Sequence, residues 1–264
     1  MRAVWALVRA GFRRHASYPG AIVGGALTNS VFGVLRASIV SATIVTAGGE
    51  LGGYAVAAGV TYAWVTQALI GPVYVFTWDE LALRVRSGDI AVDLARPVDL
   101  QVQYAAADVG RAAAISLPRG LPPLAIGALT FGLTLPNSPV AYLAGAVSLA
   151  LGVGISFACR YLVNLAAIWL LDVRGMLTVY VTVSNVLCGL LVPVHWFPGW
   201  LAAVAAATPF PSMLQAPADV LTGRVGGSAL PTLLATQAAW LVGMLAAGHL
   251  VQRLGTRWLV VQGG

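Results

Sequence analysis

The charged residues of this chain are confined to a few clusters between long apolar runs, and that distribution decides what the chain can fold into. Of its 264 residues, 9% are charged and 59% are hydrophobic. The hydrocarbon core of a bilayer accepts little beyond apolar side chains on helices whose backbone groups bond internally. A spanning helix takes about 20 residues, so this length holds about six spans with short connections. The expected fold is an all-α polytopic membrane protein, with residues 1–264 forming one transmembrane unit.

The apolar runs place spans at 20–46, 54–77, 104–131, 139–171, 176–194 and 229–252. The fourth is long for one crossing, which implies tilt or projection beyond the bilayer. Residues 1–19 precede the first span as a basic amphipathic segment. At about 100° per residue, Arg2, Arg9 and Arg13 share one face, and Val4, Trp5, Val8 and Phe12 the opposite one. Such a helix is expected to lie in the membrane interface. The apolar run that follows continues past Arg36, so it reads as a retained span and not a removable signal.

The arginines set the orientation. One side of the six spans receives Arg2, Arg9, Arg13, Arg14, Arg84, Arg86, Arg96, Arg111, Arg174, Arg253 and Arg257, and the other only Arg224. Cytoplasmic loops are the ones enriched in basic residues, which puts both termini and the 78–104 loop in the cytoplasm. The opposite side carries residues 193–228, with Pro193, Pro198, Pro209, Pro211 and Pro217 among Trp196, Phe197, Trp200 and Phe210. This stretch is too apolar for a solvated loop and too broken for a span. A short re-entrant hairpin in the outer leaflet fits it. There is no internal repeat, so an inverted-repeat carrier architecture has no support.

Several functions are excluded or disfavoured. All fifteen basic residues are arginine, and a P-loop requires a lysine on the nucleotide phosphates. Any ATP and magnesium chemistry therefore belongs to another chain. The net charge of +6 is explained by the orientation of the spans, and nothing interleaves aromatic and basic residues as nucleic-acid platforms do. Cys159 and Cys188 lie in apolar runs as packing residues, and no spacing indicates a metal site or a cofactor. His15, His195 and His249 are far apart, so the H-E-x-x-H motif of intramembrane metalloproteases is missing. The acids sit near span ends, with only Asp108 placed at depth. That weighs against an ion-coupled carrier but leaves open a secondary transporter or an anion pore using intramembrane arginines.

Two groups of residues stand out. In RSGDIAVDLARPVDL at 86–100, Gly88 and Pro97 bracket about two helical turns. On a helix there, Asp89, Asp93 and Arg96 would share one face beside Ile90 and Leu94, which suits docking into a groove of a soluble partner. The second group is Arg36, Arg119 and Arg160 within the spans. Arginine at depth costs roughly 2.5–3.5 kcal/mol, so each should face a cavity, a partner or an internal acceptor. Pro118, Pro122 and Pro123 free carbonyls that could serve Arg119. Asn29, Gln67, Asn164, Asn185 and Gln237 read as interhelical hydrogen-bond glue.

The SGDIAVDLARPVDL loop resembles the signature of bacterial ATP-binding-cassette exporter permeases of the second exporter class, particularly the viologen- and drug-exporter-like group. WLVVQGG at 258–264 is similar to the usual C-terminus of that family. LVPVHWFPGWLAAVAAATPF at 191–210 resembles its hairpin between spans five and six, and the basic N-terminal helix resembles its interface helix. The resemblance implies a permease subunit that forms half of a translocation path. Its partners would be a second permease, homologous or identical, and two copies of an ATPase subunit in the bacterial cytoplasmic membrane. Residues 86–100 would be the coupling helix, with Arg86, Gly88, Asp89, Asp93, Arg96 and Pro97 at the contact. Arg36, Arg119 and Arg160 would be path residues, and His195, Trp196, Phe197 and Pro198 an extracytoplasmic gate. None is expected to be catalytic.

Overall fold

A computed structural model describes residues 1–170 and 172–257, so the 258–264 segment lies outside the described residues. In chain order the first half holds α1 (Arg2–Ala16), α2 (Pro19–Thr46), the strands β1 (Glu50–Leu51) and β2 (Tyr54–Ala55), α3 (Val56–Val73), α4 (Glu80–Ser87), α5 (Ile90–Leu94) and α6 (Leu100–Thr130). The second half holds α7 (Pro139–Leu165), α8 (Arg174–Leu187), α9 (Gly199–Ala206), α10 (Phe210–Met213), α11 (Gln215–Leu221) and α12 (Ala229–Thr256). Among the described residues, five helices are long and apolar enough to cross a membrane: α2, α3, α6, α7 with its 3-10 extension to Ile168, and α12. The fold is that of an all-α polytopic membrane protein.

Helix α3 is the centre of the bundle, with every residue from Gly59 to Val73 buried. Its Trp64 fits a slot cut by two glycines on its neighbours. A Cβ on Gly33 of α2 would come within 2.3 Å of the indole, and one on Gly127 of α6 within 2.6 Å. Outer faces of the bundle are apolar instead of polar: Val23, Leu27, Val31 and Leu35 on α2 and Leu117 and Leu121 on α6 are exposed, as a lipid-facing surface requires. Helix α12 packs on α7 and is fastened by Gln237, whose amide donates to the Ser148 carbonyl (3.1 Å) and the Ser212 carbonyl (2.8 Å). Asn164 and Gln67 are likewise bonded between elements, whereas the Asn185 side-chain oxygen is buried without a partner among the described residues.

Helix α1 lies along the first turns of α6. Its packing face is Val4, Leu7, Val8 and Gly11, while Trp5 and Phe12 stand outward with Arg2, Arg9 and Arg13. Two glycines allow the approach. A Cβ on Gly11 would meet the Ala107 carbonyl oxygen at 2.2 Å, and one on Gly110 the Val8 carbonyl oxygen at 2.0 Å. Small residues at such crossings let helix backbones touch.

Two features depart from the sequence-based expectation, the fifth span and the link between spans one and two, whereas 193–228 is built of short helices as expected. The fifth predicted span, 176–194, is the 14-residue helix α8, about 21 Å long and short of the ~30 Å hydrocarbon thickness. The chain leaves α8 at Gly189, whose φ of +83° is a left-handed conformation that ends helices. Residues 193–228 fold as a 3-10 turn (Val194–Trp196) and the three short helices α9, α10 and α11, of which α10 and α11 pack on α7. The β1–β2 hairpin, with Gly52 and Gly53 at its turn, went unpredicted between spans one and two, although Gly-Gly is a known hairpin signal.

Replacing Gly110 with valine is expected to lift α1 off α6, at a cost of about 1–3 kcal/mol for an overpacked contact. Limited trypsin digestion should then cleave at Arg9, Arg13 and Arg14 well before the rest of the chain. Unchanged resistance of these sites would show that the close crossing does not hold α1.

Candidate functional site

The residues singled out by sequence fall at the two ends of the bundle and in its charged middle. At the end where α1 meets α6, α4 and α5 form a compact loop. Gly88 closes α4 in the left-handed region, φ +81°, where a side chain would be strained. Helix α5 then runs for only five residues, and Pro97 follows as the chain turns toward Asp99, which caps α6 through Val102 N at 3.3 Å.

Because α5 is so short, Asp89, Asp93 and Arg96 do not form the single outward face expected of a continuous helix. Asp93 is 4% exposed and points inward. It receives a hydrogen bond from Arg84 and one from the Tyr104 hydroxyl at 3.2 Å, and Arg96 lies 3.5 Å away. The Asp93 carbonyl accepts from Gln103 Nε2 at 2.8 Å. The bond that Arg84 donates to Asp93 raises the arginine above its ordinary pKa. Ile90 is also buried, while Val92 and Leu94 are exposed. The outward surface of the loop is therefore Asp89, Val92, Leu94 and Arg96, with Arg86 beside it. The Asp89 carboxylate accepts from Ser87 Oγ at 2.8 Å, and the Asp89 carbonyl accepts from Arg84 Nη2 at 3.1 Å.

The three arginines of the spans have different environments. Arg36 donates to Thr66 Oγ1 (3.1 Å) and Gln67 Oε1 (3.0 Å), both on α3. Arg119 donates to the Ala21 carbonyl at 2.8 Å, on α2 and not on the proline-rich turn of its own helix. Gly25 of α2 makes room for it, since a Cβ there would lie 2.6 Å from the guanidinium. Both arginines are half-buried and, among the described residues, meet only neutral oxygens. Arg160 is 1% exposed and ion-paired with Asp108 at 3.1 Å.

Asp108 is shared. Arg111, one turn along α6, binds it through Nε at 2.7 Å and also donates to the carbonyls of Gly71 (3.0 Å) and Pro72 (2.9 Å). Those carbonyls are the unpaired last acceptors of α3, where a cation also meets the negative end of the helix dipole. Tyr74 follows in a left-handed conformation, φ +57°, and its ring lies 4.5 Å from the Arg111 guanidinium and 4.9 Å from that of Arg160. Sequence reasoning placed Asp108 at depth but assigned Arg111 to a span end. The i, i+3 spacing of Asp108 and Arg111 was the signal that could have paired them.

At the other end, His195 and Trp196 are tied to distant elements. His195 Nε2 lies 2.9 Å from Asp219 Oδ2, and Trp196 Nε1 donates to the Leu51 carbonyl at 2.9 Å. Asp219, buried on α11, also accepts from the Tyr54 hydroxyl (3.2 Å) and Gln215 Nε2 (2.8 Å). The single hydroxyl proton of Tyr62 is shared between two acceptors, Gln215 Oε1 at 2.6 Å and the Gly189 carbonyl at 2.7 Å. Burial, then the nearby Asp219 charge, pushes the Tyr54 phenol above its ordinary range. Among the described residues Phe197 joins no such network, and Pro198 serves as the N-cap residue of α9. Asp219, Gln215 and Tyr54 were not foreseen, because their partners lie up to 165 residues away.

Asp93→Ala is expected to loosen the loop by about 1–3 kcal/mol, less than a fully buried pair because Arg84 and Arg96 are partly exposed. Hydrogen exchange over 84–103 should rise, while Asp89→Ala leaves it unchanged; equal effects would remove the distinction. Asp108→Asn leaves two buried arginines without a counter-charge and is expected to cost about 3–5 kcal/mol. A thermal midpoint in detergent equal to that of the parent would contradict the shared-carboxylate reading.

The comparisons with known proteins agree with this architecture. None of the curated proteins matches the chain. A family model described as ABC-2 family transporter protein matches residues 33–263, which takes in the loop, the charged middle and the α9–α11 region. The chain therefore belongs to the ABC-2 transporter family and is a multi-pass membrane permease of that class.

Proposed function

We infer that this permease is half of an ATP-driven exporter and couples to a separate ATPase through the α4–α5 loop. The observation that carries this reading is the loop itself. A buried carboxylate, Asp93, draws Arg84, Arg96 and Tyr104 together, leaving Val92 and Leu94 outward at 58% and 40% exposure. Two apolar side chains on a cross-braced turn, flanked by Asp89, Arg86 and Arg96, suit a groove on a soluble subunit. A rigid turn transmits displacement, and a loose one would absorb it. Gly88 and Pro97 shape the turn.

Membership in the ABC-2 family supports an ABC ATPase as that subunit. Two copies of it would hold the ATP and magnesium, which a chain without lysine cannot do through a P-loop. A second permease, identical or related, would complete the path. The clustering of arginines supports an orientation with α1, the loop and the end of α12 in the cytoplasm. The β1–β2 hairpin and α9 to α11 would then be extracytoplasmic, with His195 and Trp196 part of the closure at that end. Arg36 and Arg119, half-buried and matched to neutral oxygens, are the arginines assigned to the path. Arg160, enclosed with Asp108, holds helices together.

Gentle purification of the tagged chain from its native membrane is expected to bring down a stoichiometric polypeptide with a P-loop. Val92→Asp should weaken that association roughly ten- to hundredfold, as loss of a central apolar anchor does, while the permease still inserts. Recovery of the permease only with itself, under conditions where known complexes survive, would refute the ATP-driven reading.

A further inference from the structure

Between α1, the α3–α4 connection and α6 lies a cavity of about 580 Å³, whose lining shares Arg84 and Tyr104 with the brace of the α4–α5 loop and otherwise has no part in the coupling role. We propose that this cavity is a binding site for a phosphate-bearing anion, in the first instance the headgroup of an anionic phospholipid. Its position suits such a ligand. Helix α1 presents Trp5, Phe12 and three arginines outward, as a helix at the membrane surface does, and the cavity opens beneath its C-terminal half, where Leu7, Ala10, Gly11 and Arg14 line it. Basic pockets between helices at the membrane surface are a recurring way of holding lipid headgroups.

The lining changes character with depth. At the rim stand Asp79, exposed, and Glu80, which is already paired with Arg14 at 2.8 Å. Only one of the five N–H groups of Arg14 is used in that contact among the described residues. At the deep wall are Arg111 and Asp108, and behind them Arg160. Two guanidinium groups share this one carboxylate, so the deep wall carries an excess positive charge. Arg160 Nη1 is buried with no partner among the described residues. One carboxylate between two guanidinium groups leaves an excess positive charge at depth, which is costly, and an anion held against Arg111 at the cavity wall would offset it. Leu7, Leu83 and Ala107 form an apolar side along which the glycerol and upper acyl carbons can lie. The volume exceeds what a bare phosphate fills, which favours a lipid headgroup over a free ion.

The proposal does not depend on the ATP-driven reading and is tested on the permease itself. The full chain, purified in detergent and stripped of lipid, is titrated with short-chain phosphatidylglycerol, short-chain phosphatidylcholine and inorganic phosphate, with bound lipid read by native mass spectrometry. Phosphatidylglycerol should be retained in preference to phosphatidylcholine. Leu83→Trp, which fills the cavity from an exposed position, and Arg14→Ala should each weaken retention about tenfold, with elution volume and thermal midpoint preserved. Competition by millimolar phosphate would assign the site to a free phosphate-bearing solute, and its absence to the lipid. Equal retention of the two lipids, or unaltered phosphatidylglycerol binding by both variants, would overturn the proposal.

Discussion

One carboxylate, Asp108, holds together the buried charges where α6 and α7 meet the end of α3. Arginine is expensive inside a membrane protein unless its charge and its donors are met, and here two arginines converge on the same acid from α6 and α7. Arg111 extends the arrangement to the end of α3 by taking up the Gly71 and Pro72 carbonyls. The most buried helix of the bundle is thus anchored at the point where the chain leaves it. Tyr74, packed by both guanidinium groups, sets the direction of the connection to α4. The position of the outward-facing loop depends on that direction.

The same construction recurs at both ends. Asp93 braces the α4–α5 turn against α6, and Asp219 braces the 3-10 turn and α11 against the β1–β2 hairpin. Each of the three acids is buried; Asp108 and Asp219 join elements distant along the chain, while Asp93 ties together the consecutive helices α4, α5 and α6. Asn164 of α7 donates to the Trp78 carbonyl (2.7 Å) and accepts from Ala82 N (3.1 Å), so α4 is held from the bundle side too. A push on Val92 or Arg96 therefore meets a braced element and not a flexible loop. Under the proposed coupling to a separate ATPase, that stiffness is the mechanical requirement. It also explains why the polar residues of the loop divide into inward braces and outward contacts.

Much was legible before the structure. The apolar runs at 20–46, 139–171 and 229–252 became α2, α7 with its extension, and α12 with boundaries close to those expected, because a hydrocarbon environment imposes length and composition on a span regardless of its neighbours. The amphipathic first helix was readable for the same reason, although its packing face is turned toward Leu7 and Gly11, a choice made by the glycine of the facing helix. Gly88 announced a turn that only glycine adopts without strain. The fifth span misled, since hydropathy does not register that Gly189 and Pro193 end α8 short of a full crossing.

By itself, the sequence determined that the chain is a helical membrane protein lacking the lysine a P-loop needs, with its basic residues gathered toward one end and a short turn-bounded loop at 86–100. These follow from composition and local spacing, which act residue by residue. Only the tertiary structure decided which polar groups meet. It turned Asp93 inward, enclosed Arg160 with Asp108 across 52 residues, and joined Tyr54 to Asp219 across 165. A charge or hydrogen bond is satisfied by whatever the packed helices bring within about 3 Å, and hydrophobic periodicity specifies the face a helix buries but not the partner that face will find.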